Sequence, residues 1–160
     1  MAEYDDYRLA NDDEVNKMNS EYAEKNAEKG RKAARAGLPV YLTDEAHRAA
    51  ESCFSAAQGC VYLLDYATTP EERKLLKYAA DSMNGLCSAL GGGRKISSKE
   101  PFGTHGVKRT LEKTFVLCND AAIRLCRIAD SSGGDAFLCS AARTALCATQ
   151  SALAVYLMQI

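Results

Sequence analysis

The stretch AHRAAESCFSAAQGCVYLL, residues 46–64, decides the fold. Within it Ala46, Ala50, Cys53, Ala57, Cys60 and Leu64 recur at alternating steps of four and three. Such steps return to one face of a helix, and their alternation is a heptad seam. Nearly every side chain in this seam is small, so a neighbouring helix can approach closely and pack tightly against it. Thr43 reads as the N-cap, with Asp44 and Glu45 placed favourably against the helix dipole.

Three further seams follow. Thr69-Pro70-Glu71-Glu72 opens a helix: Thr69 caps it, Pro70 suits the first helical position, and Glu72 completes a capping box. That helix presents Leu76, Ala79 or Ala80, Met83, Leu86 or Cys87, and Leu90, and Gly91-Gly92-Gly93 ends it. The next carries Val107, Leu111, Thr114, Cys118, Ala121, Leu125 and Ile128 before the break at Ser131-Ser132-Gly133-Gly134. Asp135 caps the last helix, whose spacing predicts a seam of Cys139, Ala142, Leu146, Thr149, Leu153, Tyr156 and Ile160. No strand-like alternation occurs. Four seams near a 3.5-residue period predict an all-α, antiparallel, left-handed four-helix bundle over residues 43–160, a single domain with short loops.

Ahead of the bundle, residues 1–11 read as a flexible polar tail. Residues 12–36 are helix-forming but hold few apolar side chains beyond Val15, Met18 and Tyr22. So weakly amphipathic a helix gains little from packing and is expected to dock loosely. Gly37-Leu38-Pro39 stops it.

The chain has 160 residues, 47% hydrophobic and 26% charged, which suits one globular domain. Its net charge of −1 supplies no global field to recruit nucleic acid or an anionic membrane. Met1 to Asp6 is acidic with no apolar run, so no secretory signal is expected. Ala152 to Ile160 is apolar but too short to cross a bilayer, and no membrane association is expected. An odd cysteine count placed on helix faces points to reduced thiols in the cytoplasm.

Seven cysteines invite a soft-metal reading, with Cys53, Cys60, Cys118 and Cys139 as the thiolates for copper or zinc. No pair stands at chelating spacing on adjacent turns, and each cysteine occupies a place where a small hydrophobe serves equally well. Packing is the favoured reading, and no cofactor is expected. Neither His47 nor His105 follows a Glu by three residues, which excludes a carboxylate-bridged di-iron centre. Cys87 and His105 flank the long loop, but loop spacing alone does not make a nucleophile and base.

That loop, Gly91 to His105, carries Arg94, Lys95 and Lys99. With His105 and with Lys108, Arg109 and Lys113 on the next helix, they form the candidate site for an anion or an acidic partner beside a helix N-terminus. A solvated surface loop is the plainer reading of the same residues. A second basic run, Lys25 to Arg35, is interleaved with Glu21, Glu24 and Glu28 and lacks aromatics for stacking bases.

These exclusions favour a non-enzymatic interaction or regulatory protein, an inhibitor, adaptor or immunity-type protein that binds a protein partner. A small-ligand or soft-metal binder using the core cysteines is the alternative, followed by nucleic-acid binding through the basic loop. The C-terminal helix, apolar to its last residue, offers a homo-oligomer contact.

Overall fold

Four helices carry the architecture: α1 (Val40–Leu64), α2 (Pro70–Ala89), α3 (Val107–Ser131) and α4 (Ala136–Gln159). The computed structural model describes Lys25 and residues 40–92 and 106–159. The expected tail over 1–11 and helix over 12–36 lie outside the described residues, except that Lys25 is helical and exposed.

The helix boundaries follow local chemistry. The Glu72 N–H donates to the Thr69 hydroxyl at 3.1 Å, with Pro70 in the first position. The reciprocal half of the box is shifted by one residue. The Glu72 carboxylate accepts from the backbone N–H of Thr68 at 3.2 Å and from its hydroxyl. α2 ends in a Schellman motif: Gly91 at φ 85° donates to the Ser88 carbonyl, and Gly92 donates to the Cys87 carbonyl at 2.8 Å. Asp135 caps α4 by accepting from Leu138 N–H at 2.9 Å. Thr43 does not cap α1. The helix already begins at Val40, because burying Leu42 rewards one more turn than the polar signal suggests.

The helices form a ring in which α1 packs on α2 and α3, and α4 packs on α2 and α3. All four neighbouring pairs are antiparallel. On α1 and α3, Ser52 meets Asp120 and Glu45 meets Arg124; on α2 and α4, Glu72 meets Gln159. Tyr156 near the end of α4 meets Glu112 near the start of α3. The chain therefore runs up, down, down, up. The α1–α2 and α3–α4 turns are short, as expected. The α2–α3 connection is a full-length crossover, since Gly92 and Gly106 sit at opposite ends of the bundle, about 30 Å apart by the rise of a 20-residue helix.

The core divides in two. Leu63, Leu76, Leu111 and Val155 fill one end, flanked by Leu75 and Tyr62. The larger remainder, among the described residues, holds fourteen alanines and four cysteines against five bigger side chains. The seams of α2 and α3 are buried nearly as predicted, although Leu90 and Val107 are only half-buried. On α1, Leu63 rather than Leu64 enters the core, and Ala49 and Ala56 widen the stripe. On α4 the predicted face is turned by about one residue. Leu138, Ala141, Ala145, Ala148, Ala152 and Val155 are buried with Ala142 and Thr149. Cys139 and Leu146 face solvent, Leu153 and Tyr156 are half-buried, and Ile160 lies outside the described residues. The reason is size: α4 offers two adjoining apolar stripes, and the alanine-rich one lets it come closest to both neighbours.

Candidate functional site

Of the basic candidates, Lys108, Arg109 and Lys113 are described, Lys113 lying exposed one turn further along α3. Lys108 and Arg109 are exposed on the first turn of α3, whose N-cap, Gly106, offers no side chain to its N–H groups. Arg94, Lys95, Lys99 and His105 lie outside the described residues.

The structure brings three of the four thiols proposed for a metal together and adds a fourth that the sequence left open. Cys53 and Cys60 on α1, Cys87 on α2 and Cys118 on α3 are all buried. Cys60 and Cys118 are in hydrogen-bonding contact, which together with burial pushes the Cys60 thiol well up. Burial pushes Cys53 up as well, reinforced by Cys87, Cys118 and Asp120. Burial thus favours the neutral thiol at both positions. Cys139 does not join them, being exposed on α4, and none of the seven cysteines forms a disulfide. Among the described residues no three His, Cys, Asp or Glu side chains gather as a metal-holding group.

A polar clamp ties α1 to α3. The Arg124 guanidinium reaches Glu45 at 2.9 Å and Asp120 at 2.8 Å, and the Ser52 hydroxyl donates to Asp120 at 2.6 Å. Burial works against the Asp120 carboxylate, but the bonds from Ser52 and Arg124 outweigh it and hold its pKa below the usual range. This arrangement fixes the register of the two helices, with no base–nucleophile geometry in it.

Sequence reasoning missed the outer face of α3 and α4. Val116 and Leu157 are 60% exposed, Leu146 46% and Ile123 44%, values high enough to leave a large part of each residue wet. At about 100° per residue, Val116 and Ile123 lie roughly 40° and 60° from Asp120, on the outward side of α3 opposite its core seam. Cys139, Leu146, Leu153 and Leu157 lie on the α4 flank turned toward α3 by the same geometry. The apolar exposure is thus divided between the outward side of α3 and the flank of α4, with Phe115 and Cys126 half-buried. A signal was present in the sequence: Val116 and Ile123, seven residues apart, are apolar yet outside the α3 seam.

No helix among the described residues is long and apolar enough to cross a membrane. Comparison with protein-family profiles, curated proteins and solved structures finds no match for the chain.

Proposed function

We propose that the protein is a non-enzymatic interaction protein that works by binding a macromolecule, and that the outer face of α3 and α4 is its binding surface. The observation that carries this reading is the exposure of four large apolar side chains, Val116, Ile123, Leu146 and Leu157, on two helices that pack side by side. Exposed apolar side chains gathered on neighbouring helices and edged by polar residues are what interaction surfaces present. Behind it, alanine seams wound with a left-handed supercoil supply a rigid platform. Lys108 and Arg109 at one end add attraction for acidic groups, and reduced thiols fit a cytoplasmic setting.

The test is native mass spectrometry of protein purified from its own host, wild type against Ile123→Glu with Leu146→Glu. The wild type is expected to carry an associated macromolecule, and the double variant to lose it while keeping its helicity. Identical association in the two proteins would overturn the assignment of this face.

A further inference from the structure

We infer that Cys60 on α1 and Cys118 on α3 form a two-coordinate site for a soft monovalent cation, Cu(I), buried between the two helices. This site is separate from the surface proposed for macromolecules.

Four of the seven cysteines are fully buried, and they converge from three helices. Cys60 and Cys118 are in hydrogen-bonding contact between α1 and α3, and Cys53 lies within electrostatic reach of Cys118 and Cys87. Taken singly, each thiol is a small hydrophobe in a core where alanine fills most places. Packing does not account for what stands beside the pair. Thr114 is 1% exposed, and its hydroxyl has no partner among the described residues. Counted from the Ser52–Asp120 hydrogen bond, Cys60 stands level with Glu112 on α3, so Thr114 falls between the levels of Cys60 and Cys118. At about 100° per residue Thr114 also lies about 40° from Cys118, on the side nearer Asp120, which meets α1. A stranded donor is costly in an apolar core unless something there accepts its hydrogen. A metal-bound sulfur is such an acceptor.

The donor set selects the ion. Among the described residues no third His, Cys, Asp or Glu completes a metal-holding group, which leaves zinc short of its four ligands. Calcium and magnesium demand oxygen. Cu(I) prefers sulfur and accepts two thiolates in line. Two S–Cu bonds form as two S–H bonds break, both protons leave to solvent, and copper keeps its oxidation state. Burial favours the thiol form of Cys60, so the ion must displace protons and is held more tightly as pH rises. The filled site carries one net negative charge, which the Thr114 hydroxyl stabilises by donating to sulfur.

The full-length chain, reduced and kept from oxygen, is titrated with Cu(I) against bathocuproine disulfonate, a coloured Cu(I) chelator. Because a buried site loads slowly, the chain is also refolded from urea with Cu(I) present. The protein is expected to withhold one equivalent from the chelator, and X-ray absorption at the copper edge to count two sulfur neighbours. Cys60→Ala and Cys118→Ala, each placing the prevailing residue of this core, should each abolish the binding. Cys139→Ser, at an exposed position, should leave it unchanged. Thr114→Val is expected to weaken the binding about tenfold even though it stabilises the metal-free fold. With two protons released, the apparent affinity should rise by up to about a hundredfold per pH unit. No copper withheld after refolding overturns the inference. So does binding that survives Cys60→Ala or Cys118→Ala, a count of three or more sulfurs, or equal affinity in Thr114→Val.

Discussion

The two ends of this bundle solve the packing problem in opposite ways. Where Leu63, Leu76, Leu111 and Val155 meet, the space between helices is filled by large side chains. Over the rest, alanine and cysteine dominate, and space is removed by bringing the helices together. The first end draws its stability from side-chain area removed from water. The second relies on close approach, so that many small contacts add up. The difference teaches that one fold can be sensitive to lost volume at one end and to added volume at the other.

The largest effect is expected from Leu76→Ala. Leu76 is fully buried, and removing it leaves a cavity bounded by other large residues, at a cost of about 2–5 kcal/mol in chemical denaturation. A loss below about 1 kcal/mol would show that this end collapses freely, and the contrast between the ends would disappear.

Ala57→Leu probes the other end. Ala57 is fully buried in the alanine-rich region, and added methylenes there are expected to cost about 1–3 kcal/mol through overpacking. Thermal stability equal to wild type would mean that the helices are not held close at Ala57. The pair of substitutions thus tests the comparison from both directions.

Thr114 sits one turn from Leu111 and one turn from Cys118, where the two regions join. Its hydroxyl is buried without a hydrogen-bond partner among the described residues, whereas the Thr149 hydroxyl donates to the Ala145 carbonyl at 2.7 Å. Thr114→Val keeps the shape and removes the stranded group, so it is expected to stabilise by about 1 kcal/mol. Thr149→Val should give no such gain. Equal effects at the two positions in urea titrations would show that Thr114 is satisfied.

The smallest effect belongs to the α1–α3 clamp. The Asp120 pKa is lowered, so its contribution is fully present above the ordinary carboxylate range and is lost as pH falls through the lowered value. Asp120 is also well exposed, so after allowance for solvent screening Asp120→Asn is expected to cost less than about 1 kcal/mol at pH 7. The gap between variant and wild type should close in acid. A gap that persists undiminished at low pH would show that the role of Asp120 is not ionic.

Much of this was legible in the sequence, and the places where it was not share a cause. The seams of α2 and α3 could be read because polar residues flank the apolar ones, which leaves one phase for each helix. Thr69, Asp135 and the glycines after Leu90 marked boundaries through interactions spanning only a few residues. α4 offered no such contrast. A stripe through Cys139, Leu146 and Leu153 and a stripe through Ala141, Ala145 and Ala152 are equally apolar, and the first was chosen on spacing. The basic loop that drew attention as a site lies mostly outside the described residues, and Lys108 and Arg109 now mark one end of a longer face.

By itself the sequence determined the four helices, their stops, and the small size of the side chains between them, because propensity, capping and periodicity act over a few residues. Only the tertiary structure decided the ring order, the full-length crossover from α2 to α3, the convergence of Cys53, Cys60, Cys87 and Cys118, and the phase of α4. Those depend on which helices can approach one another most closely, a sum over all four at once. The same sum settled which face of α4 was buried, and so which of its apolar residues were left exposed.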